Sequence, residues 1–86
     1  MRLDKFLKVS RMIKRRTLAK EVCDGGRVSI NDKVAKAGSE VKAGDVLTIR
    51  FGQKLVTAKI ERIADNVPKD LADSLYTIVK EEPVSQ

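Results

Sequence analysis

The chain has no histidine, no tryptophan and a single cysteine, and its aromatic residues are only Phe6, Phe51 and Tyr76. Each shortage removes a class of function. Cys23 has no partner for an internal disulfide, and one thiol without histidine gives no zinc-type ligand set. A nucleophile–base pair would have to be built from that thiol, a lysine or scattered acids, so catalysis is not expected. So few aromatics leave no platform on which to stack unpaired bases. Charges break every apolar run well short of the roughly 20 residues that span a bilayer, and the N-terminus has no signal-peptide pattern. The expected setting is the cytoplasm.

What is present is a one-ended charge. From Arg2 to Arg27 nine basic residues face three acids, an excess equal to the whole chain's net charge of +6. Downstream of Arg27, nine bases meet nine acids and cancel. Such a local imbalance bears on partners rather than on fold. With 42% hydrophobic and 35% charged residues in 86, the composition is that of one small globular domain. Its core must come from Leu, Ile, Val and Ala. The reading is one domain over 1–80, with the charge-bearing segment at 2–31, and a flexible tail at 81–86.

Leu3, Phe6, Leu7 and Ser10 recur at helical spacing and predict a helix over about 3–10. Asp4 lies in its first turn, suited to the helix dipole and placed to pair with Lys8. Met12 to Lys14 form a connector too short for structure of its own. Leu18, Ala19, Val22 and Cys23 mark a second helix that Gly25-Gly26 ends. Two short helices so joined make an αα-hairpin. Arg15 and Arg16 fall near the second helix N-terminus, where cations are disfavoured. A residue kept where it costs stability suggests a ligand.

After Gly26 the period changes to two. Val28 and Ile30 point inward, Asn31-Asp32 makes a turn, and a weak strand returns over 33–36. Leu47, Ile49 and Phe51 form the inner face of the best strand, and 55–63 runs back beside it. Pro68 opens a predicted helix carrying Leu71, Leu75 and Ile78 up to Val79. The fold class is therefore α+β: an N-terminal αα-hairpin on a small, mainly antiparallel sheet, with a short C-terminal helix.

A concentrated basic face with arginines able to fork onto phosphates fits structured RNA. The candidate RNA-binding residues are Arg2, Asp4, Lys8, Arg11, Lys14, Arg15, Arg16 and Lys20. Asp4 would serve by orienting an arginine. Cys23, on an apolar stripe, reads as buried filler. A membrane-surface or protein-docking role for the same basic patch is the competing class, but the apolar stripes are needed for the one core.

At these residues the sequence resembles the S-four (S4) RNA-binding domain, named for a small-subunit ribosomal protein. The resemblance rests on Arg2-Leu3-Asp4, Arg16, Ala19, Gly26-Arg27-Val28, Ile30-Asn31 and Gly44-Asp45. Two positions depart from the family pattern: Arg15 replaces a capping Ser or Thr, and Asp32 replaces a glycine. Among stand-alone members the chain is similar to the small ribosome-binding heat-shock proteins and, over RLDKFLKVSR, IKRRTLAKEV, FGQKLVT and LYTIVKEE, to the RqcP family. The latter resemblance implies a non-catalytic quality-control factor without a cofactor. It would bind large-subunit rRNA and peptidyl-tRNA on obstructed large subunits and steady the P-site tRNA. An RqcH-like protein would be its partner in C-terminal alanine tailing. The chain itself would be monomeric off the ribosome. The heat-shock alternative implies binding of free large subunits with stranded nascent chains, and a generic structured-RNA-binding module is the remaining one.

Overall fold

The computed structural model describes residues 1–84. Its architecture is α+β, a helical hairpin against one antiparallel sheet of five strands. The helices are α1, Leu3–Val9, and α2, Arg16–Asp24. The strands are β1 (Val28–Ile30), β2 (Lys33–Val34), β3 (Val46–Phe51), β4 (Lys54–Ile60) and β5 (Tyr76–Pro83), in the order β2-β1-β3-β4-β5. A 3₁₀ helix, Lys69–Leu75, precedes β5.

The stripe expected on α1 is the one buried: Leu3, Phe6, Leu7 and Ser10 are all at most 1% exposed. Ser10 is satisfied there because its hydroxyl donates to the Leu7 carbonyl at 3.3 Å. The connector does more than span a gap. Ile13 is 5% exposed within the core, and its N–H donates back to the Leu7 carbonyl at 3.1 Å. On α2 the buried residues are Ala19 and Cys23, four apart on one side of the helix. Leu18, expected inward, is instead 48% exposed. The helix ends in a Schellman motif, with Gly26 N–H on the Cys23 carbonyl and Arg27 N–H on the Val22 carbonyl. Gly26, at φ +78°, takes the left-handed turn that the motif requires.

The β1–β2 turn puts both Asn31 (φ +50°) and Asp32 (φ +69°) in the left-handed region, as a tight two-residue hairpin demands. Asp32 thus adopts the glycine-type conformation. Asn31 holds the turn to the sheet: its side chain accepts from Val46 N–H at 2.9 Å and donates to the Asp45 carboxylate at 3.1 Å. Leu47 and Ile49 of β3, Ile60 of β4 and Leu75 join the hairpin residues in the main cluster.

The C-terminal third corrects the expected helix. The helical segment stops at Leu75 as a 3₁₀ helix, and Ile78 and Val79 lie in β5. Leu71 and Ile78 are 47% and 43% exposed, so only Leu75 of that stripe is core. Tyr76-Thr77-Ile78-Val79 is an aromatic and β-branched run with strong strand preference, and the free edge of β4 pairs with it from Ile60↔Tyr76 to Lys54↔Pro83, with a one-residue shift at Val79 between the Thr57 and Ala58 pairs. The i, i+4, i+7 spacing was coincidental. Glu81 to Pro83, expected as tail, belong to β5, and Val84 N–H donates to the Gln53 carbonyl at 2.8 Å; Ser85 and Gln86, the last two residues of that tail, lie outside the described residues. The weak second strand is shorter than expected, and β4 ends at Ile60 rather than 63.

Burial orders the cost of truncation. Leu47→Ala, at 0% exposure, is expected to destabilise by about 2–5 kcal/mol, whereas Leu18→Ala stays within about 0.5–1 kcal/mol. Urea unfolding of the two variants checks this, and equal losses would mean that α2 is rotated from the face described.

Candidate nucleic-acid interface

The charged hairpin is organised by Asp4, the second residue of α1, which is only 2% exposed. A buried carboxylate must be paired and hydrogen-bonded to stay ionised. Arg2 meets it with two nitrogens, Nε to Oδ1 at 3.1 Å and Nη2 to Oδ2 at 3.3 Å. Arg16, from the start of α2, brings its Nε to 3.6 Å from Oδ2. The Lys5 N–H donates to Oδ1 at 2.8 Å. Burial pushes the Asp4 carboxyl up. The Arg2 hydrogen bond, the Arg16 and Arg2 charges and the Lys5 N–H outweigh it and hold the group below the ordinary carboxylate value.

Both arginine side chains remain 49% exposed. Arg2 therefore has one edge bonded to Asp4, Arg16 is drawn to the same carboxylate by charge alone, and about half of each side chain faces solvent. The carboxylate also relieves the repulsion of bringing two cations to one spot. The expected Lys8 pairing is not made; Lys8 is exposed, and the arginines take the acid.

The other candidates, Lys8, Arg11, Lys14, Arg15 and Lys20, are all exposed on the two helices and their connector. Two sit where helix chemistry prefers something else. Arg11, just past the α1 C-cap Ser10, has φ +63°, a conformation that costs a non-glycine residue roughly 1–2 kcal/mol. Arg15 is the N-cap of α2 and makes no side-chain capping bond, so the cap is lost rather than transferred to Thr17.

Sequence reasoning overlooked the segment from Ala35 to Glu40. Its carbonyls at Ala37 and Ser39 accept the first N–H groups of α1, and Gly38 lies beside the Arg2 guanidinium. The signal available was the run of small residues, Ala35, Ala37, Gly38 and Ser39, which lets a chain pass close to a helix end. Cys23 is fully buried. Burial, with the Asp4 and Asp24 charges nearby, pushes its thiol up to about 11, so it is a neutral packing group.

Residues 1–47, which hold this whole cluster, match the family model described as S4 domain. The chain is 63% identical over 86 residues to the RQC P-site tRNA stabilizing factor of Bacillus subtilis, covering all of both chains. It is 64% identical over 86 residues to the protein of the same name from Halalkalibacterium halodurans, covering 100% of this chain and 98% of that one. The chain belongs to the S4-domain family, in its branch of RQC P-site tRNA stabilizing factors. This S4 domain also superimposes on the trimeric heat shock protein 15 of Vibrio cholerae with a TM-score of 0.85 at 36% identity, over 92% of this chain and 81% of that one. No helix among the described residues is long and apolar enough to cross a membrane.

The Asp4 shift has a signed consequence. Its folded pKa lies below the unfolded value of about 3.9, so its contribution to stability is fully present above that value and is lost as pH falls through the folded one. Asp4→Asn should lower the thermal midpoint at neutral pH and make the midpoint less sensitive to pH on the acid side. Thermal unfolding from about pH 5 to 2 checks this; an unchanged acid limb would show that Asp4 is not the residue being protonated.

Proposed function

We propose that this chain is a non-catalytic RNA-binding factor of ribosome-associated quality control. It binds large ribosomal subunits obstructed by peptidyl-tRNA and steadies the P-site tRNA. The observation that carries this reading is the pair Arg2 and Arg16, drawn to Asp4 and half exposed within the segment that holds the chain's charge excess, in a chain whose relatives bear the name RQC P-site tRNA stabilizing factor. Arg2 and Arg16 act as oriented forks for phosphate oxygens. Arg11 and Arg15 supply further contacts from the connector, and Lys8, Lys14 and Lys20 add attraction at longer range. Asp4 takes part by aiming the forks, without touching the anion. In the cell the factor would act beside an RqcH-like protein during C-terminal alanine tailing.

The opposite end of the domain supports the localisation. Lys54 pairs with Glu81 at 2.7 Å and Lys80 with Glu82 at 3.4 Å, so those cations are already matched. Likeness to heat shock protein 15 favours a second reading, in which free large subunits with stranded nascent chains are bound and no tailing partner is needed. Sedimentation of the tagged protein from cells separates the two by asking whether tailed chains and the tailing protein co-migrate.

Arg16→Ala should weaken binding to purified large subunits and lower the salt slope by about one, the value for one lost phosphate contact, while Lys54→Ala leaves both unchanged. If the two folded variants bind alike, the localised site is wrong. Arg15→Ser should act in opposite directions on two readouts. Restoring an N-cap should stabilise the domain by about 1 kcal/mol, while large-subunit affinity falls. Unfolding and binding titrations on the same preparation test the pair, and a variant both more stable and equally tight would remove Arg15 from the interface.

A further inference from the structure

Helix α1 starts without a side-chain cap, because its N-cap residue is Arg2. Its first N–H groups have no partner within the helix, yet each finds one. Leu3 N–H donates to the Ser39 carbonyl at 2.8 Å and Asp4 N–H to the Ala37 carbonyl at 3.2 Å, while Lys5 N–H uses the Asp4 carboxylate. The segment from Ala35 to Glu40 thus does the work of a capping side chain, and position 2 is released for an arginine. The same segment lies under the guanidinium, since a Cβ built on Gly38 would stand 4.0 Å from Arg2 Cζ.

The segment is itself held by the last residue of α2. Asp24 Oδ1 accepts the Ala37 N–H at 3.1 Å, and the Lys36 ammonium donates to the Asp24 carbonyl at 3.3 Å. A carboxylate in the last turn opposes the helix dipole, and no basic residue in that turn offsets it. Helix chemistry alone does not explain an acid here. Its contact does: Ala37, 2% exposed, is gripped on both sides, its N–H by Asp24 of α2 and its carbonyl by Asp4 of α1.

We propose that Asp24 is a positioning residue for the Arg2–Asp4–Arg16 cluster, acting through Ala37 without itself contacting RNA. The inference rests on the RNA-binding reading above. Asp24 sets where Ala37 sits, Ala37 sets the first turn of α1, and that turn sets the carboxylate on which both arginines are aimed. Because Arg2 is both N-cap and fork, a slip at Ala37 moves its guanidinium with its backbone.

The test compares Asp24→Ala, Asp24→Asn and Asp24→Glu in the full chain, each with Arg2 intact and with Arg2→Ala. Purified large subunits are the binding probe. An NMR titration of the Asp4 carboxyl is the second readout, which a general loss of stability would not move in a folded protein. Asp24→Ala should weaken binding about fivefold, the scale of one ordinary hydrogen bond, and raise the Asp4 titration midpoint. Asp24→Asn, which keeps an acceptor oxygen, should restore both. In the Arg2→Ala background Asp24→Ala should add a smaller loss, because only the part carried through Asp4 to Arg16 remains. Should Asp24→Ala fail to fold, Asp24→Glu displaces the acceptor more mildly and is expected to show the same pattern in smaller measure. Equal loss in both backgrounds, or an Asp4 midpoint unmoved by any Asp24 variant, would overturn the proposal. Unaltered binding in Arg2→Ala alone would instead overturn the site reading, and the Asp4 titration would still decide whether Asp24 positions the cluster.

Discussion

A carboxylate almost wholly removed from water is a constraint that the surrounding structure must meet, and in this domain Asp4 sets it. Burial alone would favour the neutral acid. Keeping the charge requires donors on several sides at once, and those come from three places in the sequence: Arg2 before α1, Lys5 within it and Arg16 at the head of α2. The two helices are thereby locked in one relative placement at their polar end, while Phe6, Leu7, Ile13, Ala19 and Cys23 lock them at the apolar end. A single acid joins the fold of the hairpin to the aim of its arginines.

The helix ends show what that arrangement displaced. Position 2 is a helix N-cap and holds arginine, position 15 is another and holds arginine, and position 11 adopts a glycine conformation and holds arginine. Local preference would have chosen Ser, Asp and Gly. Natural sequences are largely locally consistent, so three arginines at the ends of the two hairpin helices, where local preference is for other residues, point to a demand from outside the fold. At position 2 the fold compensates through the carbonyls of Ala37 and Ser39; at 15 no capping side chain compensates. On the proposed reading, stability and binding draw on the same residues in opposite senses.

Much of this was legible in the residues. The α1 stripe, the glycine stop after α2, the Asn31-Asp32 turn and the inward set of β3 follow from periodicity and turn chemistry, which act over a few residues. What was not legible depends on distant partners. Leu71, Leu75 and Ile78 fit a helix until β4 offers Tyr76 to Pro83 a free edge, and pairing across the sheet then outweighs spacing along the chain. Leu18 fits an inward stripe, but α2 packs through Ala19 and Cys23 and so leaves the leucine on the outside. The long-range approach of Arg16 to Asp4 turned an expected Asp4–Lys8 pair into an arginine cluster. Of the site, the basic residue types were readable; the geometry that makes two of them forks was not.

The acid at the centre also bears on selectivity. For affinity to a polyanion alone, Asp4 is a loss, since it cancels one positive charge where the field is strongest. Its return is in geometry. Free arginines on a surface sample many rotamers and neutralise phosphate wherever it lies, which gives binding without discrimination. Arginines tethered by one edge lose that freedom before the ligand arrives, so less ordering remains to be done at binding. On the proposed reading, two phosphates at a fitting separation would satisfy both arginines, and a mismatched spacing only one. With base-stacking aromatics absent from this face, discrimination among RNAs must come from backbone shape, and a pair of forks held by a buried carboxylate is a means of reading shape.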